Sequence, residues 1–118
     1  MAVKSVRTQT IVFSGDVVGT EISTAATNTN AGGVVELKTI TGAAFQAFTV
    51  PTFGAVPPSC TIIPPAGNTA SLTLKGVTGD TGFALHLTDP SVVSLASTTT
   101  TFGITTGATV TGLRLIWS

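Results

Sequence analysis

Charge is what this sequence has least of. Five basic and five acidic residues make up 8% of 118 and cancel to a net charge of zero, where a soluble domain usually carries about 25% charged residues. No stretch concentrates cations, so the electrostatic footprint that nucleic acid or an anionic membrane demands is missing, and neither is an expected partner. Cysteine and histidine occur once each. Cys60 therefore has no intramolecular disulfide partner and reads as a small buried thiol, and a zinc site would need several ligands where one of each type is present. No metal and no cofactor is expected. Tyrosine is absent and tryptophan single, a poor supply of the flat aromatic platforms on which sugar-binding sites usually rely. No apolar run approaches the ~20 residues of a membrane-spanning helix. The opening residues do not form a signal peptide, because Thr8, Gln9 and Thr10 interrupt the apolar core one requires. None of Asn28, Asn30 and Asn68 begins an N-x-Ser/Thr acceptor. Synthesis in the cytoplasm without a signal peptide is the expectation.

What is present is apolar and small. Hydrophobic residues make up 42% of the chain, enough for one core, and the length suits a single domain over residues 1–118. Thr, Ser, Gly and Ala fill positions that Lys, Glu and Asp normally take. A monomer usually needs charge on about a quarter to a third of its surface to resist association. A surface this neutral is expected to be covered, by further copies of the chain or by another protein.

Period-two alternation with β-branched residues and Gly/Pro punctuation recurs from end to end, and apolar residues nowhere keep helical spacing over three turns. The chain reads as all-β. Strand candidates are residues 6–13, the "GDVVGTEIS" stretch, 34–40, 45–50, "SCTII", 71–75, 83–87, 91–96, 98–105 and 109–117, with a long exposed loop over 24–33. Short strands about 8–12 residues apart indicate a sandwich or barrel, here an antiparallel β-sandwich of jelly-roll type with eight to ten strands. Within "VVELKTI" Val35 and Leu37 fall on one face, Glu36 and Lys38 on the other, and the strand reads as half-buried. Prolines on both sides of "SCTII" make it an edge strand or a short strand between extended connectors. Leu72 and Leu74 share a face, and Phe83, Leu85 and Leu87 point inward with His86 outward. In the last strand Leu113, Leu115 and Trp117 share one side and Arg114 and Ile116 the other, which makes those three a core or a candidate subunit interface. This terminal strand needs a partner, expected to be the N-terminal strand or a neighbouring chain.

Chemistry is harder to find. "KGVTGDTGFALHL" gathers glycines, a carboxylate and the histidine, but a phosphate cradle requires a helix after the glycines and none follows. Gly-Asp-x-Gly suits a hairpin reversal. His86 and Asp89 tempt a base-and-acid pairing, with Ser91 near, but three residues apart in an extended strand they point to opposite faces. Asp16, Glu21, Asp80 and Asp89 sit in or beside loops that could gather around calcium, yet nothing resembles an EF-hand. No catalytic residues emerge, and the chain does not read as an enzyme.

The stretch "ASLTLKGVTGDTGFALHLTDPSVVSLA" with the closing "GATVTGLRLIWS" resembles small structural proteins encoded among the virion genes of tailed bacteriophages. The likeness covers the C-terminal half. It implies a virion subunit that decorates or cements the capsid, or joins a tail or fibre, and it brings no catalytic residues. Its partners would be copies of itself and other virion proteins. The alternative is a carbohydrate- or receptor-binding sandwich in a tail or fibre, with "TNTNAGG" among its polar contacts.

Overall fold

The computed structural model describes residues 5–11, 24–30, 33–52 and 58–118. Among them the chain forms strands and no helix: β1 (Ser5–Ile11), β2 (Thr24–Asn30), β3 (Val34–Ile40), β4 (Phe45–Thr49), β5 (Ser59–Ile63), β6 (Leu72–Lys75), β7 (Phe83–Ala84), β8 (Ser91–Ser94), β9 (Thr101–Thr106) and β10 (Val110–Trp117). β1 and β2 pair as an antiparallel ribbon, from Ser5 opposite Asn30 to Ile11 opposite Thr24. The other eight strands form two antiparallel four-stranded sheets, a first in the order β3-β10-β5-β8 and a second in the order β4-β9-β6-β7.

One core lies between these sheets, the arrangement of a β-sandwich. The first contributes Ile40, Cys60, Ile62, Val110, Leu113, Leu115 and Trp117, the second Phe48, Leu72, Leu74, Phe102 and Ile104. One aromatic contact ties the two together: Phe102 of the second sheet stands edge-on to Trp117 of the first, as it does to Phe48 beside it in its own sheet, with centroids 5.7 Å apart in both pairs, a separation at which such contacts are favourable beyond their buried area.

β10 is the axis of the first sheet, flanked by β3 and β5. Its inward phase depends on one residue. Val110 and Leu113 are both buried, although a spacing of three in a regular strand puts residues on opposite faces. A bulge between Thr111 and Leu113 removes the conflict. Gly112 sits there at φ +86°, a backbone conformation that glycine adopts without steric cost.

Several sequence expectations change. Residues 24–30 are a strand, because a polar Thr- and Asn-rich segment can still pair its backbone with β1. β10 pairs with β3 and β5, and neither the N-terminal strand nor a neighbouring chain is needed to hold it. β5 is an interior strand between β10 and β8. Its flanking Pro58 and Pro64 fall just outside Ser59–Ile63, so every strand residue keeps its N–H. β7 ends after two residues; Leu85 then donates its amide to Leu72 O at 2.8 Å and packs against the core. Leu87 is exposed, and Phe83 sits on an edge strand with 62% of its surface in solvent. The "GDVVGTEIS" strand candidate lies outside the described residues.

Candidate functional site

The histidine pairing comes first, since the sequence placed His86 and Asp89 on opposite faces. The chain turns here instead of extending, and His86 Nδ1 lies 3.6 Å from Asp89 Oδ2. The contact is not a catalytic dyad. Nδ1 accepts the backbone amides of Asp89 at 2.9 Å and Thr88 at 3.2 Å. An orienting carboxylate needs an Nδ1–H to receive, and that nitrogen's lone pair is already used. Both side chains are largely in solvent, and Ser91 is held in β8 opposite Ile62. The imidazole closes a turn.

Asp80 does the same for the glycine-rich stretch. Its Oδ2 accepts the amides of Val77 at 2.9 Å and Gly76 at 3.0 Å, and its own amide donates to Val77 O at 3.1 Å. Gly82 re-enters β7 at φ +67°, where a Cβ would strike Leu74 O. The stretch is a seven-residue reversal joining β6 to β7, longer than a tight turn. It rims an open cleft of about 460 Å³ lined by Leu74, Phe102, Val93, Leu95, Phe83 and Lys75. Among the described residues no three His, Cys, Asp or Glu side chains cluster as metal ligands do. Asp16 and Glu21 of the calcium candidates lie outside the described residues.

Cys60 is fully buried. Burial first, and the negative charge of Glu36 second, push its thiol up to about 12. A thiol held protonated is neither nucleophile nor metal ligand at neutral pH.

Leu113, Leu115 and Trp117, the candidate interface residues, are all buried, Trp117 being 1% exposed. They build the core and leave no surface for a partner. The indole is satisfied internally, with Trp117 Nε1 donating to Glu36 Oε2 at 3.2 Å. Glu36 in turn lies 3.7 Å from Lys38 Nζ.

That contact explains what the sequence did not reveal about β3. Directly opposed residues in a sheet share a face, and the register sets Leu115 against Glu36 and Leu113 against Lys38. Glu36 and Lys38 are therefore on the inner side, half-buried. Val35 and Leu37 point outward, 65% and 70% exposed. The same registers carry the outer face across the whole sheet. One row runs Val35, Ile116, Thr61, Val92, and a second runs Leu37, Arg114, Ile63. Val92 is 48% exposed and Ile116 and Ile63 are half-buried. Four strands at about 4.8 Å spacing span about 14 Å, so this is a continuous apolar surface with one cation in it. A contact over it and its partner reaches on the order of 1,000 Å², where specific interfaces begin. The signal in the sequence was indirect: a buried indole needs an acceptor, and only one phase of β3 supplies it. No known protein family matches the chain, and neither curated proteins nor solved structures show significant similarity to it.

Proposed function

We propose that the chain is a non-enzymatic structural subunit of a virion, a capsid decoration or cementing protein that works by self-association and by docking on the shell. The observation that carries this reading is the outer face of the first sheet. A chain with this little charge spends five apolar side chains, Val35, Leu37, Ile63, Val92 and Ile116, on a surface facing water. Contiguous exposed apolar patches of this kind mark interaction sites. We also read the strand order as a jelly roll. Support comes from the connections, which pass between the sheets at every step from β3 to β10 except the β6–β7 hairpin, and jelly rolls recur in viral capsid and lectin domains. Fold alone does not assign a role, so the face carries the argument.

The test is the solution mass of the purified chain by light scattering over a concentration series, at low and high salt. An oligomer that persists in high salt and is lost in Leu37→Asp supports assembly through the outer face. A monomer throughout, unaffected by that substitution and unable to bind capsids or tails, removes the reading. A second reading, a carbohydrate- or receptor-binding module of a tail or fibre, draws on the cleft that exposed Phe83 helps to line. With Trp117 buried, that ring is where a sugar would stack, and a glycan array compared between the native chain and Phe83→Ala decides it.

A further inference from the structure

We propose that the cleft beside the β6–β7 reversal binds a small amphipathic anion, an alkyl carboxylate of medium length whose chain lies among apolar side chains and whose head meets Lys75.

The first argument is a difference between the two flanks of the sandwich. Its edge strands are β3 and β8 in the first sheet, β4 and β7 in the second. On β3 and β4 the inward edge positions are polar and already served. Glu36 and Lys38 face inward with partners of their own. Gln46 stands opposite the core residue Ile104 and so shares its face, and its Nε2 donates to Ala47 O at 3.1 Å. On β8 and β7 the corresponding positions are apolar. Val93, opposite the buried Cys60, and Leu95 just after it belong to the first sheet's side; Phe83, opposite Leu74, belongs to the second. β7 is only two residues long, and Val93 and Leu95 are left half-buried although both pack against the core.

The cleft is the space this leaves, about 460 Å³ lined by those four residues and by Phe102. Phe102 is a core residue only 6% exposed, so the cleft runs from the surface to the core. A volume between about 300 and 1,000 Å³ with apolar walls and few polar groups is the usual form of a small-molecule site.

The second argument is charge. The charged residues lining the cleft are Lys75 and Asp80. Asp80 is committed to its own loop, one oxygen accepting two amides. Lys75 makes no ion pair among the described residues. Its stem lies against Gly82, with Cγ 2.8 Å from where a Cβ on that glycine would stand, so the glycine keeps a place for the lysine at the cleft. A compact ammonium on a flexible stem suits a single anionic group. Apolar walls with one free cation are the complement of an alkyl carboxylate.

Calorimetric titration of the full chain with hexanoate, octanoate and octan-1-ol tests this, with circular dichroism as the folding control. Each CH2 removed from water is worth about fourfold in Kd, so octanoate should bind about tenfold tighter than hexanoate. Octan-1-ol should bind about threefold weaker than octanoate, the order expected for a solvent-accessible ion pair. Lys75→Met should abolish that difference and Lys75→Arg keep it, while Phe83→Ala should weaken both ligands severalfold. In amide NMR spectra, the shifts caused by octanoate should centre on Leu74, Phe83, Val93 and Leu95, which tests the site without any substitution. No binding at millimolar octanoate, equal affinity for octanoate and octan-1-ol, or shifts centred on Val35 and Leu37 of the outer face would each overturn the proposal. So would a chain that binds glycans through Phe83 and ignores octanoate. The cleft is separate from the outer face, so its failure leaves the assembly reading untouched.

Discussion

β10 and β3 lie side by side, and both alternate apolar with polar residues, yet they point their apolar residues in opposite directions. In β10 the apolar positions Leu113, Leu115 and Trp117 go into the core. In β3 the apolar pair Val35 and Leu37 goes to solvent, and the charged pair Glu36 and Lys38 faces inward. Alternation specifies that residues two apart share a face and says nothing about which face that is. The choice is made by neighbours. β10 is paired on both sides over Arg114–Trp117 and with β3 alone before that, so burying its three large side chains outweighs anything β3 could gain by the opposite phase. β3 is an edge strand and accepts the phase that gives the buried indole its carboxylate.

The sharpest way to break this comparison is to truncate the equivalent positions. Trp117→Ala removes a fully buried side chain in contact with Phe102 and should cost about 3–5 kcal/mol, enough to unfold a marginal domain. Leu37→Ala should change the stability of the isolated chain by less than about 0.5 kcal/mol, since its side chain is mostly in water already. Urea unfolding of both measures the difference. If Leu37→Ala costs as much as Leu115→Ala, β3 has the opposite phase to the one described.

Next in size is the alkaline response of the thiol beneath β10. Cys60 ionises near 9.0 when unfolded and near 12 when folded. The folded state therefore keeps a proton that the unfolded state loses. Stability is complete below pH 9 and falls by up to about 1.4 kcal/mol per pH unit from 9 towards 12. Denaturation midpoints measured from pH 8 to 11 should show that slope in the native chain and lose it in Cys60→Ala. A slope that survives in Cys60→Ala belongs to other groups.

Gly112 tests what sets the phase of β10. An alanine there must adopt φ near +86°, which should cost about 1–3 kcal/mol while leaving the strand in register. Deleting the residue is a different matter, because it closes the bulge: Val110 and Leu113 then stand two positions apart, Leu113, Leu115 and Trp117 stay inward opposite Lys38, Glu36 and Val34, and a cooperative unfolding transition should remain. Smallest is Glu36→Gln. The amide oxygen still accepts the indole N–H, but the bond is no longer charge-assisted and the Lys38 contact is lost, so about 1 kcal/mol or less is expected from thermal melts. The same change takes a negative charge from beside Cys60, and its alkaline slope should extend over a narrower pH range.

How much of this was readable follows the same division. Leu72 and Leu74, and the inward trio of β10, were legible because a large apolar side chain at every second position has little alternative to a core. Phe83 was half legible: it shares the face of Leu74, but β7 is too short and too peripheral to cover it. The interior place of β5 was hidden by prolines that lie just past its ends, and β2 by a composition of Thr, Ala and Asn that gives no apolar face to detect. The turn that brings His86 to Asp89 depends on local amide bonds to the imidazole, which no periodicity reports. The apolar outer face was the least visible of all, because it exists only through the register of four strands drawn from four separated parts of the chain.

The inward charges of β3 have one more consequence. A strand's free edge is an open template on which another chain can pair and extend the sheet. Any strand that paired alongside β3 would continue the inner surface and bring its own side chains against Glu36 and Lys38, where an apolar residue would strip water from both charges without replacing it. Such growth is penalised at its first step.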